Sequence, residues 1–108
     1  MIALDPTLGR EVRKTRPGLV VSNDVFNEHS ELVTILPITS KGVERAYPSE
    51  ALLPAGSAGL SGPCKIQADQ IRTVSVRRLR RRLGALPRPL MESVERAVSI
   101  HLDLGRPT

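Results

Sequence analysis

The first chemistry this sequence suggests is electrostatic. Between residues 72 and 88 stand Arg72, Arg77, Arg78, Arg80, Arg81, Arg82 and Arg88 with no acid among them. That stretch carries +7 of a formal net charge of +5, leaving −2 on the rest of the chain. A second basic group, Arg10, Arg13, Lys14 and Arg16, is partly offset by Asp5 and Glu11. A guanidinium offers paired donors in a planar fork that matches phosphate oxygens. The pattern therefore points to a polyanion surface, nucleic acid above all. A plainer reading of VRRLRRRLG stands beside it: Val76, Leu79 and Leu83 pack inward and the arginines form a solvated face. Other reactive side chains are sparse. Cys64 is the only cysteine, lacks any suggested base, and reads as a small buried hydrophobe. With one Cys and only His29 and His101, a zinc ribbon or finger has no ligand set, and no metal or other cofactor is expected. Both histidines read as bystanders.

The elements that must position these residues belong to one small domain spanning residues 1–108. A single cysteine excludes a disulfide-stapled scaffold, and no apolar run approaches the roughly 18 residues a membrane span needs. The start MIALDPTLGR has no secretory pattern, so a cytoplasmic protein without membrane partners is expected. Only Phe26 and Tyr47 are aromatic, so the core must be built from Val, Leu, Ile and Ala. Residues 8–17 read as a charged loop. GLVVS (18–22) and ELVTILPI (31–38) read as strands, with Pro37 suggesting an edge or a bulge. Residues 23–30 read as a polar loop. Further strands are expected over 47–53, CKIQADQ (64–70) and RTVSV (72–76), separated by the turn-forming PAGSAGLSGP (54–63). After Pro87 and Pro89 the spacing of Leu90, Met91, Val94, Ala97, Val98 and Leu102 predicts an amphipathic helix ending before Gly105. The architecture expected is mainly β, a small antiparallel barrel with a C-terminal helix packed on it.

Four motifs in order resemble one family. DPTLGREVRKTRPGLVVSND is similar to the opening of the MazF/PemK/Kid toxins, through Asp5, Pro6, Thr7, Gly9, Glu11, Arg16, Pro17, Val20 and Val21. Asn23 with Phe26 and Asn27 resembles the following loop. Pro37-Ile38-Thr39-Ser40 resembles the family's strand end, and Asp69-Gln70-Ile71-Arg72-Thr73 its (D/E)-Q-x-R-(T/S) signature. The resemblance runs to about Leu104. It implies an SH3-like β-barrel of the type shared with CcdB, a homodimer, and a toxin of a type II toxin–antitoxin pair. It also implies sequence-specific, metal-independent and ribosome-independent cleavage of single-stranded RNA, inhibition of translation and growth, and neutralisation by an acidic, MazE-like antitoxin. The family pattern carries about ten more residues before the D-P pair, so the first strand is expected to be shortened here.

The chemistry such an enzyme needs is simple. RNA brings its own nucleophile, the ribose 2′-OH. The protein must accept that proton, supply one to the leaving 5′-oxygen and hold a cation near the phosphorane. The products are a 2′,3′-cyclic phosphate and a 5′-OH end. The resemblance assigns catalytic positions to Arg16, Thr39 and Asp69. Arg16 would grip the scissile phosphate, Thr39 would hydrogen-bond the phosphate or the 2′-OH, and Asp69 matches the Kid-branch base. Asp69 also reads as a turn residue or a partner of Arg72. Arg10 stands where the Kid branch has a histidine and Gln67 where it has a second arginine, departures that favour a mechanism centred on Arg16 and Thr39. Arg10, Lys14, Ser22, Asn23, Gln70 and Arg72 are the expected RNA-binding set, although loop polarity alone also accounts for Ser22 and Asn23. With two aromatics, base recognition is expected to rest on loops, backbone groups and arginine faces. Two other readings share the fold or the charge: a CcdB-like gyrase poison without nuclease activity, and an RNA-binding module that has lost catalysis.

Overall fold

The structure is a computed structural model that describes residues 2–3 and 15–105. Arg10 and Lys14 lie outside the described residues, as does most of the expected 8–17 loop. Among the described residues, seven strands and two α-helices follow in order: β1 (Ile2–Ala3), β2 (Thr15–Arg16), β3 (Gly18–Val20), α1 (Asp24–His29), β4 (Leu32–Thr39), β5 (Glu50–Leu53), β6 (Cys64–Gln67), β7 (Arg72–Ser75) and α2 (Arg88–Leu102). β1 and β2 pair in a two-stranded antiparallel ribbon. The other five form one antiparallel sheet built around β4. The expectation of a mainly β domain with a C-terminal helix holds. Among the described residues, however, the sheet is open rather than closed into a barrel.

β4 is long because every second residue is apolar on each face. Val33 and Ile35 point one way; Leu36 and Ile38 point the other; all four are buried. One edge of β4 receives β3, with Gly18 opposite Pro37 and Val20 opposite Ile35. The other edge receives β7 over Leu32–Ile35 and β6 over Ile38 and Thr39. Between β6 and β7 the chain makes a 3-10 turn, Ala68–Gln70, instead of continuing the ladder. Pro37 is thus in a central strand, not at an edge. The Ile38 N–H donates to the Pro17 carbonyl on the β3 side. The neighbouring Pro37 nitrogen therefore faces the opposite side, where the 3-10 turn interrupts pairing and no ladder donor is required.

The larger core lies between the sheet and α2, where Val94 and Ala97 meet Leu36, Ile38, Ala51, Leu53, Cys64, Ile66 and Ala68. Burial of Cys64 is as expected. A smaller cluster on the other face joins Val33, Ile35 and Val74, with Leu79 packed against it. α2 begins directly after Pro87, which stands at its N-cap, and is closed by Asp103, whose left-handed conformation (φ +57°) lets Leu104 N–H reach the Ser99 carbonyl. No helix among the described residues is long and apolar enough to cross a membrane.

Further expectations need correction: Thr15 and Arg16, expected in a loop, form β2, and the strand expected over 47–53 begins only at Glu50. Residues 23–30 are not a loop: Asn23 accepts a hydrogen bond from Phe26 N–H (2.8 Å) and caps the short helix α1. Asn before an acid and an apolar-polar alternation was the available signal for that cap.

Candidate active site

The antiparallel register brings Arg16 and Thr39 together although 22 residues separate them in sequence. Gly18 faces Pro37 and Ile38 N–H bonds Pro17 O at 3.1 Å, so the next cross-strand position sets Arg16 opposite Thr39. β2 and β4 are in contact there. Directly opposed residues in an antiparallel pair project from the same face. Arg16 is exposed and forms no ion pair among the described residues, so its guanidinium stands in solvent. Pro17 stiffens the backbone immediately after it. Thr39 closes β4, half-buried, and its Oγ1 accepts the Lys41 N–H at 3.1 Å. One lone pair is thereby engaged while the hydroxyl proton remains available to an acceptor.

On its other side Thr39 pairs with Lys65 of β6, which in turn faces Leu52 of β5. Lys65 is 8% exposed, yet it belongs to the polar phase of the alternating run CKIQ. Its ammonium meets Glu50 Oε1 at 3.1 Å and donates to the Arg45 carbonyl at 3.3 Å. Glu50 Oε1 also accepts the Tyr47 N–H at 3.0 Å, and the Lys65 Nζ stands 5.9 Å from the Tyr47 ring centre. This buried pair anchors the 40–48 connection beside Thr39. Sequence reasoning missed it, because alternation identifies the face of a side chain and not whether a loop covers that face.

The remaining expected site residues fall in two places. Asp69 and Gln70 sit exposed in the 3-10 turn after β6, and exposed Arg72 opens β7 opposite Ile35. These three follow one another along the same edge of β4 that carries Lys65, but Arg72, opposite Ile35, stands four residues, about 13 Å, from Thr39. Asp69 makes no ion pair with Arg72 among the described residues. Ser22 and Asn23 lie at the far end of β4. Ser22 Oγ accepts the Thr34 N–H (3.0 Å) and the Ser22 carbonyl accepts Asn27 Nδ2 (2.9 Å), while Asn23 caps α1. Thr34 is five residues from Thr39, about 17 Å along an extended strand. The structure gives Ser22 and Asn23 local bonding roles and does not bring them to the Arg16–Thr39 end.

The arginine-dense segment departs from its plainer reading in part: Leu79 packs inward as expected, but Val76 is exposed. Leu79 packs on the Val33–Ile35–Val74 cluster and Leu86 on the α2 core, so the chain between them wraps the β3 edge from one face to the other. Arg80, Arg81 and Arg82 line a cavity of about 760 Å³ together with Gly18, Leu19 and Val20. Tight backbone contact holds this path: a Cβ on Gly59 (φ +81°) would fall 2.4 Å from the Leu83 carbonyl oxygen. Arg88 belongs instead to α2, where it grips Glu95 at 3.0 and 3.2 Å. Among the described residues, no three His, Cys, Asp or Glu side chains gather as a metal site.

These features coincide with one group of known proteins. The family profile described as PemK-like, MazF-like toxin of type II toxin–antitoxin systems matches residues 1–102, and the chain belongs to that family. It is 37% identical to the endoribonuclease MazF9 of Mycobacterium tuberculosis H37Rv, over 95% of this chain and 91% of that protein. It is 31% identical to the endoribonuclease EndoA of Bacillus subtilis, over 94% of this chain and 87% of that one. Its fold matches a mycobacterial endoribonuclease solved in complex with its cognate antitoxin (TM-score 0.76, 26% identity, covering 88% of this chain and 87% of that chain). It also matches MazF from Deinococcus radiodurans (TM-score 0.75, 30% identity, covering 95% and 90%). The chain is thus a MazF-like endoribonuclease toxin.

Proposed function

We infer that this toxin cleaves single-stranded RNA at short sequence motifs by attack of the ribose 2′-OH on its own phosphodiester, at a site centred on Arg16 and Thr39. The observation that carries this reading is the cross-strand meeting of an exposed guanidinium that forms no ion pair among the described residues with a strand-end hydroxyl at one end of β4. Arg16 binds the non-bridging oxygens of the scissile phosphate and offsets the extra charge of the phosphorane. Thr39, with its lone pair engaged by Lys41 N–H, donates its proton to the same oxygens. Asp69 is the carboxylate available to accept the 2′-OH proton, and Gln70 and Arg72 continue the binding track beside it. Arg10 and Lys14, outside the described residues, belong to the proposed RNA-binding set by their charge alone. Attack of the 2′-oxygen on phosphorus breaks the bond to the 5′-oxygen, which leaves as 5′-OH after taking a proton from solvent water. The other fragment keeps a 2′,3′-cyclic phosphate. Base and charge stabilisation come from side chains and the leaving group's proton from water, so on this reading the reaction needs neither a metal nor the ribosome.

In the cytoplasm such cleavage removes translatable mRNA and stops growth. A homodimer and an acidic antitoxin that covers the basic groove complete the reading; solved relatives in complex with their antitoxins support it. The test is cleavage of a long RNA by the purified protein in excess EDTA. Wild type is expected to cut at discrete motifs and Arg16→Ala to be inactive. Gyrase-dependent DNA breaks without RNA cleavage, or salt-dependent RNA binding without turnover, would overturn the reading in favour of a gyrase poison or a catalytically silent RNA binder.

A further inference from the structure

We propose that Tyr47 is the base-stacking residue of the site, holding the nucleobase next to the scissile phosphate against its exposed ring. The proposal rests on the endoribonuclease reading above. Single strands are commonly held by aromatic rings, because every base has a π-face. This chain has one Phe and one Tyr and no Trp, so the choice is between two residues. Phe26 sits on α1, beside the Ser22–Thr34 end of the sheet and away from Arg16 and Thr39. Tyr47 sits at the other end. One cross-strand step leads from Thr39 to Lys65, and the Lys65 ammonium stands 5.9 Å from the Tyr47 ring centre.

Tyr47 is also held for the task. It is 58% exposed, although aromatic rings normally bury most of their surface. Its backbone is pinned from both directions: its N–H donates to Glu50 Oε1 at 3.0 Å and its carbonyl accepts the Glu50 N–H at 2.8 Å. Pro48 follows and restricts Tyr47 to extended conformations. Glu50 itself is fixed by the buried Lys65. The ammonium engages the ring as a cation–π partner and leaves the exposed remainder to solvent. Lys65 spends its charge on Glu50, the Arg45 carbonyl and this ring, so it supports the platform and does not compete for phosphate. An exposed aromatic ring set on a rigid turn one residue pair from the hydroxyl of the site is a prearranged stacking surface, with little side-chain entropy left to lose on binding.

The composition makes the test direct, because Tyr47 is the only source of tyrosine emission and no tryptophan obscures it. Cuts mapped on a long RNA define an oligonucleotide spanning one site, synthesised with deoxyribose at the nucleotide whose 2′-OH would attack. Binding of this strand, end-labelled, is followed by anisotropy, and tyrosine emission is followed in parallel against N-acetyltyrosinamide at the same RNA concentrations. Quenching of Tyr47 that tracks the binding curve is expected. Tyr47→Ala should weaken binding by about 5- to 150-fold, and Tyr47→Phe should restore it. Full binding with emission that matches the N-acetyltyrosinamide control overturns the proposal and leaves the endoribonuclease reading standing. Absence of any mapped cut takes down both.

Discussion

Two regions of this chain use arginine in opposite ways. The 77–82 segment holds five arginines, three of which, Arg80, Arg81 and Arg82, lie on the path between Leu79 and Leu86 that wraps the β3 edge. Its charge is dense, long-range and spread along a cavity wall. The other region has a single arginine, Arg16, placed by backbone register opposite Thr39 and followed by a proline. On the proposed reading, the first arrangement would raise the local concentration of RNA, an effect that salt screens. The second sets one exposed guanidinium on the same face as one strand-end hydroxyl, the placement that the proposed reaction at a single phosphorus would use. The comparison teaches that charge density and chemical placement are separate properties even where they adjoin: the cavity lined by Arg80, Arg81 and Arg82 is also lined by Pro17 and Ile38, the neighbours of Arg16 and Thr39.

The sharpest way to break this division is to compare substitutions across it. Arg16→Ala should lower kcat/KM for RNA cleavage by roughly a thousandfold, the scale of losing a preorganised donor to a developing charge. Single-turnover rates at saturating enzyme would show the loss in the chemical step. A smaller loss confined to KM would make Arg16 a binding residue like the others. Lys65→Met leaves the Glu50 carboxylate buried without its cation and should cost about 3 kcal/mol of stability, read from denaturant unfolding. Pairing it with Glu50→Leu should recover most of that loss; failure to recover would show that the pair serves something besides burial. Thr39→Ala should reduce cleavage by about ten- to a hundredfold, the worth of a hydrogen bond to a charged group. The smallest effect is expected on the other side of the comparison. Arg80→Gln with Arg82→Gln should leave the saturated cleavage rate unchanged and flatten log K against log salt by about 1.4. A fall in the saturated rate would move part of the chemistry into the arginine-dense segment.

Much of the frame was legible before the structure. β-branched runs bounded by Pro, Gly and Asn marked β3, β4, β6 and β7, and the 3.6-residue spacing after Pro87 marked α2. What alternation cannot show is which strands pair. Pro37 reads locally as an edge residue, yet β4 is central, because the facing chain leaves its ladder in the 68–70 turn. Arg16 and Thr39 were visible only through resemblance to a family; their adjacency is a product of register. Lys65 reads as an outward polar residue and is buried, since the connection carrying Arg45 and Tyr47 folds over it. Asn23 and Ser22 read as loop residues open to a ligand, and the structure engages both in holding α1 to β4.

The central claim is that the 2′-OH beside the Arg16–Thr39 pair is the nucleophile, and one measurement addresses it most directly. Two oligonucleotides spanning a mapped cut, one all-ribose and one with deoxyribose only at the nucleotide 5′ of the cut, are incubated with the protein in EDTA and their ends analysed. The account predicts that the ribose strand yields a 2′,3′-cyclic phosphate and a 5′-OH while the substituted strand binds and stays intact. Cleavage of the substituted strand at the same bond would contradict it.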